Sequence, residues 1–264
     1  MQQSQLIYYR QMMKVMKLVR EDVEVTLYPL IKRAVPEYVS DASWPDIIAN
    51  ALRMLIARWT SPLAQRQADR IAGEFVKAAA GDNDRKVKSF GIDLYGGNKE
   101  LQDYMNAAAF QNSMLIKSLP SRYLEQVQNI VVGNMRNGMR PSYIESQLVK
   151  EFGVSQRRAK LIARDQHSKI QGDMNRIRQV NSGLKYFKWV TAHDDRVRHA
   201  HRIAGDKVTK YGKAVYSWDD LPIVDGVPTF PGQPINCRCV AVPVTETQVE
   251  RNKKAGTTDP AVRR

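Results

Sequence analysis

Up to Gly183 the apolar positions of the chain recur every three or four residues; beyond it they alternate one by one. Leu6, Tyr9, Met13, Met16, Val19, Val23, Leu27 and Leu30 form the first stripe, with Arg10, Lys14, Lys17 and Arg20 on the opposite face. This predicts a helix over 6–34 that packs its stripe on a neighbour. Pro36 interrupts it, and Ser43 with Pro45 caps a second helix running through Ile47, Ala51, Met54 and Leu55 to Trp59. Ser61-Pro62 starts a third, through Ile71, Phe75 and Ala79 to an end near Gly81. A polar loop, Gly81 to Lys86, and a glycine-rich turn, Phe90 to Gly97, follow. Leu101, Met105, Ala108, Leu115 and Ile116 predict a helix from Lys99 to Ser118, stopped by Pro120. Tyr123 to Met135 carries the next, and Pro141-Ser142 opens one that ends at Phe152-Gly153. Ser155 caps a last long helix over 156–180, with Asn181-Ser182-Gly183 as its stop.

After Gly183, Phe187, Trp189 and Thr191 fall on one side of an alternation and Tyr186, Lys188, Val190 and Ala192 on the other. Short strands are predicted at Lys207–Thr209, Ala214–Ser217 and Cys239–Val244, around an irregular Pro/Gly-rich stretch from Trp218 to Pro234. The expected fold class is α+β: a mainly helical N-terminal body over 1–183, a small mixed α+β cap over 184–245 and a basic, flexible tail over 246–264.

Charge adds a partner class. The 264 residues carry a formal net charge of +14, which favours acidic partners such as nucleic acid. Between 151 and 188, Arg157, Arg158, Lys160, Arg164, Lys169, Arg176, Arg178, Lys185 and Lys188 face only Glu151, Asp165 and Asp173. The first seven are candidate contacts to phosphates, although the stretch lacks the interleaved aromatics of a single-strand binder. No apolar run is long enough for a membrane span. The opening Met1-Gln2-Gln3-Ser4-Gln5 has no basic-then-apolar leader pattern, so an intracellular setting without a membrane partner is expected.

The chemistry gathers in one place. Three of the four histidines, His193, His199 and His201, stand among Asp194, Asp195, Arg196 and Arg198; both cysteines follow in Cys237-Arg238-Cys239. Two cysteines one residue apart make a strained disulfide. Three readings stand. His201, Cys237 and Cys239 could hold a zinc ion. Asp194, His199 and His201 could serve hydrolysis as metal ligands or acid–base groups, or a cysteine could act as nucleophile with His201. Or the cluster is a fastening: Asp194 caps the following helix and pairs with Arg198, His201 faces the loop of Asn236, and that loop is pinned to a small sheet.

These residues also carry a resemblance. Trp189, Thr191, Asp194, Arg196, Val197, Arg198 and His201, then Gly205 and Val208, then Pro234, Cys237, Arg238 and Cys239 resemble the signature of the phage Mu F-like minor head proteins, a head-morphogenesis family of tailed bacteriophages. Gln111 to Pro120 and Leu161 to Gln179 look like the family's upstream segments. His199 departs from the pattern, standing where proline is common. The resemblance implies a bacteriophage minor capsid protein of the virion, assembled in the host cytoplasm. It would associate with the portal protein and with major capsid or scaffold proteins, lie near double-stranded DNA and assist head assembly or genome delivery. The same module occurs fused to toxin domains, so the alternative is a metal-dependent nuclease or toxin-like enzyme centred on the same Asp/His/Cys cluster.

Overall fold

The computed structural model describes residues 2–34, 44–90 and 99–256. The break at Pro36, the cap at Ser43, the glycine turn at 91–97 and the final Arg263-Arg264 lie outside the described residues. The fold is α+β and mainly helical. Five long helices, α1 (Gln3–Ala34), α2 (Trp44–Trp59), α3 (Pro62–Lys88), α4 (Lys99–Arg136) and α5 (Pro141–Asn181), precede a region of short strands. Among the described residues no helix is long and apolar enough to cross a membrane. Two compact units divide the chain: Met1–Phe75 with Ala109–Ala163, and Val76–Ala108 with Arg164–Arg264.

The first unit is built on the stripe of α1, in a phase slightly different from the one expected. Tyr8, Met12, Met13, Val15, Met16, Val19, Val23, Leu27 and Ile31 are its buried large apolar positions, which include the predicted Met13, Met16, Val19, Val23 and Leu27, whereas Leu6, Tyr9 and Leu30 are only partly covered. Tyr8 fixes that phase. Its ring stacks on Phe75 with centroids 3.8 Å apart, and its hydroxyl donates to Asn112 Oδ1 at 3.0 Å.

Two predicted stops are not stops. Pro120 lies inside α4, and Gly153 with Ser155 lies inside α5. A proline in a helix interior costs about 3 kcal/mol and a glycine about 1. In α4 the buried set Ile116, Leu119, Tyr123, Leu124, Val127 and Val131 continues in phase across the proline. In α5 Ile144, Leu148, Phe152, Ala159 and Ile162 do so across Gly153. Burial of each large apolar side chain contributes about 1.5–3 kcal/mol, so the continuous stripe outweighs the local penalty.

In the second unit the stretch expected as a loop, Gly81 to Lys86, is the last part of α3. Its polar residues serve a helix–helix seam. Asn83 Nδ2 donates to the Gln171 carbonyl at 3.2 Å and to Gln171 Oε1 at 3.1 Å, and Gln171 Nε2 returns to the Ala79 carbonyl at 2.7 Å. Tyr104 on α4 donates to Asp173 on α5 at 2.8 Å.

Beyond α5, β1 (Tyr186–Val190) is the centre of an antiparallel sheet ordered β4-β1-β7, flanked by β4 (Val215–Ser217) and β7 (Val240–Val244). The alternation holds: Phe187 and Trp189 are buried, and Lys188 faces out. Helix α6 (His199–Asp206) follows β1, and a two-residue pair, β2 (Val208–Thr209) with β3 (Gly212–Lys213), leads into β4. The stretch expected to be irregular contains a hairpin, β5 (Ile223–Val224) with β6 (Val227–Pro228), turned at Asp225-Gly226 with φ of 53° and 82°. Two successive positive φ angles are what the tightest hairpin turn requires, and Asp-Gly supplies them. Phe187 stacks on Trp218 at 4.1 Å, and Trp218 meets Phe230 edge-on at 5.8 Å. This aromatic core is closed by Ala204, Tyr216, Val224, Cys237, Cys239 and Ala241.

Residues 246–254, expected as part of a loose tail, form α7 (Glu246–Lys254). Thr245 and Gln248 make a reciprocal capping box at its start, and Val249 is buried against Val215 and Val244.

Candidate functional site

Strand β1 carries Trp189 into the core and releases the chain into a loop that doubles back through α6. Thr191 sits against Gly205: a Cβ at Gly205 would lie 2.8 Å from Thr191 Cγ2, so a side chain there would push α6 off the strand. Tyr216 donates to the Ala204 carbonyl at 2.8 Å and ties the helix to β4.

Asp194 neither caps α6 nor pairs with Arg198. The helix begins at His199 with Arg198 as its N-cap, without a side-chain cap bond. Asp194 instead accepts from the Arg196 backbone N–H at 3.1 Å, closing a turn in the loop, and pairs with Arg238. That guanidinium, before all other causes, holds the Asp194 carboxyl below the usual carboxylate range. Arg196 is exposed on the same turn. Four residues separate Asp194 from the first residue of α6, so Asp194 is not at the capping position, which Arg198 holds.

One histidine of the three enters the core. His193 and His199 are exposed, while His201 is 2% exposed. Its Nδ1 lies 3.6 Å from Cys237 Sγ and 3.5 Å from Cys239 Sγ. Its ring meets Trp189 edge-on at 5.5 Å. On the other side, Nε2 lies 2.9 Å from Arg198 Nη2 and 3.7 Å from the Asp225 carboxylate. Arginine can only donate, so Nε2 accepts and the proton resides on Nδ1, directed at the sulfurs.

The cysteines arrive on a loop held by α5. Pro234 opens its turn: its carbonyl accepts from the Cys237 N–H at 3.0 Å. Asn236, at φ 56°, donates its N–H to Asp165 at 2.9 Å and accepts from Arg164 Nε at 2.8 Å; Ser168 donates to the Cys237 carbonyl. Both cysteines are free and buried. Cys237 Sγ accepts from the backbone N–H groups of Gly232 and Cys239, each at 3.4 Å. A hydrogen bond from the Cys239 thiol is the largest influence, and it brings the Cys237 thiol down to about 5; the same bond, with burial, pushes Cys239 up. His201, Cys237 and Cys239 offer three ligand atoms within 4.8 Å of one another, and no other residue joins the group among the described residues. Asp225 and Ser168, outside the sequence motif, complete the surroundings; the Asp225-Gly226 turn signal could have located the first.

The basic residues of α5 do different things. Arg157 and Lys160 are exposed. Arg158 is partly buried beside Arg122, and burial followed by that like charge lowers its pKa. Lys169 pairs with Asp165 at 3.0 Å, Arg164 is engaged by Asn236, and Arg176 lies over the Phe230 ring at 5.5 Å. Arg178, expected to be a phosphate contact, is buried and paired with Asp84. It lies on the apolar-facing side of the helix, which charge counting along a sequence does not distinguish.

Comparison with known proteins finds a family likeness for part of the chain. Residues 125–242 match the family described as Phage Mu protein F like protein. The segment includes the far end of α4, all of α5, the sheet up to the middle of β7 and the whole His/Cys cluster. An uncharacterized protein of Haemophilus influenzae is 29% identical over 264 aligned positions, covering 94% of this chain and 55% of the relative. The chain therefore spans about half the length of that relative. No solved structure matches the chain.

Proposed function

We propose, from the match of residues 125–242 to the family described as Phage Mu protein F like protein, that the chain is a minor head protein of a tailed bacteriophage. In this reading it associates with the portal protein, meets major capsid or scaffold proteins, and assists head morphogenesis and DNA packaging or delivery. Its place is the virion, at the portal vertex. The observation that carries a structural role, and not an enzymatic one, is the burial of the chemistry-bearing side chains: His201 and Cys237 are each 2% exposed and Cys239 is 7% exposed. A nucleophile or general base must reach its substrate. These three face one another and join α6 to the loop before β7. The net charge of +14 supports proximity to packaged, double-stranded DNA without sequence reading. Exposed Arg157 and Lys160 are its simplest carriers.

Crosslinking in intact particles tests this reading. Crosslinks from this chain to the portal are expected. Absence from the particle, or an even distribution over the capsid shell, would overturn it. Cleavage of DNA by the purified chain, abolished by His201→Ala in a folded protein, would favour the nuclease alternative instead.

A further inference from the structure

We propose that His201, Cys237 and Cys239 form a binding site for Zn2+, with Asp225 as the outer carboxylate that orients the histidine. The donor set is the first argument. Two sulfurs and one imidazole nitrogen lie within 4.8 Å of one another, so a single ion can meet all three with small side-chain adjustments. Thiolate and imidazole suit zinc, whereas calcium and magnesium require oxygen ligands. Two thiolates would neutralise a divalent ion, leaving no net charge in the buried site.

The surroundings are the second argument. Backbone N–H groups of Gly232 and Cys239 point at Cys237 Sγ, and N–H donors favour an anionic sulfur. The Trp189 indole N–H, beside Cys239, is buried without a hydrogen-bond partner. An unsatisfied buried donor of this kind ordinarily costs about 1–3 kcal/mol; a metal-bound thiolate at Cys239 gives it an acceptor.

The third argument is the histidine's far side. A metal-bound imidazole usually donates its other N–H to a carboxylate or carbonyl. Asp225 Oδ2 stands 3.7 Å from Nε2, held there by the tight turn between β5 and β6. Arg198 stands 2.9 Å from Nε2 as a donor. An ion held by Nδ1 would leave the imidazole proton on Nε2, where Asp225 could accept it, and the thiol protons would be released to solvent. Arg198, 3.9 Å from the same carboxylate, remains in reach of it. Three protein donors leave one position of a tetrahedral ion to a non-protein ligand.

The purified full chain, kept reduced and stripped with a chelator, is titrated with Co2+ and then Zn2+. One ion per chain is expected, with a sulfur-to-cobalt charge-transfer band that Zn2+ bleaches. Cys237→Ser and Cys239→Ser should each lose the band, and Asp225→Asn should weaken binding about 10–100-fold. Because the cysteine variants could misfold, thiol alkylation of the unaltered chain is followed with and without Zn2+; protection of both thiols is expected. A folded chain with no such band, or with alkylation indifferent to Zn2+, overturns the site. The result is independent of whether the chain resides in a phage head.

Discussion

Gly172 of α5 and Gly232 of the cysteine loop meet backbone to backbone. A Cβ added at Gly172 would stand 2.6 Å from the Pro231 carbonyl oxygen, and one added at Gly232 would stand 2.8 Å from Gly172 Cα. Gly172→Ala should therefore destabilise the protein by about 1–3 kcal/mol, the usual cost of forcing extra volume into a packed contact. Urea unfolding followed by tryptophan fluorescence measures it, and an unchanged midpoint would mean that the loop yields freely. Gly232→Ala should cost more, because its φ of 100° adds backbone strain to the collision.

The same helix holds the sheet by buried amides. Asn175 Nδ2 donates to the Ala241 carbonyl at 2.6 Å, and Gln179 Nε2 reaches both that carbonyl, at 3.1 Å, and Asn175 Oδ1, at 3.0 Å. Asn175→Ala should cost about 1–3 kcal/mol, because Gln179 and Ala241 lose a partner they cannot replace with water. A double variant with Gln179→Ala should cost less than the two singles added together. Strict additivity in the unfolding free energies would count against a shared network.

His167 gives a dependence on acid. Burial, partly offset by Asp82 at 3.9 Å, lowers its pKa. The folded protein therefore binds this proton less readily than the unfolded chain. Stability linked to His167 is intact above the ordinary histidine value of about 6.5 and is lost as pH falls from there toward the depressed folded value. Comparing urea midpoints at near-neutral and mildly acidic pH, His167→Gln should show a shallower acid loss than the unaltered chain. Equal slopes would remove His167 from the account.

The box at the start of α7 is testable locally. Thr245→Ala should weaken the helix by about 1 kcal/mol, seen as faster amide exchange over 246–254. Global stability should change far less, since Val249 is the helix's single buried residue. Unchanged exchange would show that Val249, and not the cap, holds the helix.

Periodicity made the helical body and the inward face of β1 legible, because one side of each element is buried in a continuous stripe. It failed at Pro120, Gly153 and Gly81, where a local breaker is overruled by packing, or by polar partners such as Gln171, that are distant in sequence. The trio His201, Cys237 and Cys239 was legible because both cysteines and three of the four histidines converge on one motif. The partner of Asp194 was not: Arg238 and Arg198 are equally basic, and only the course of the loop chooses between them. Nor was Arg178, whose buried pairing with Asp84 depends on which side of α5 meets α3.

The order β4-β1-β7 has a consequence for synthesis. The middle strand is made first, and one of its two neighbours last. At ordinary translation speeds of about 5–20 residues per second, β1 would wait roughly 3 to 10 seconds for β7, with one edge bare. An unpaired strand edge bearing Phe187 and Trp189 is a template for joining another chain. The nascent module is thus most exposed to misassembly just before Cys237 and Cys239 emerge, and the segment that brings the thiols to His201 also seals the sheet.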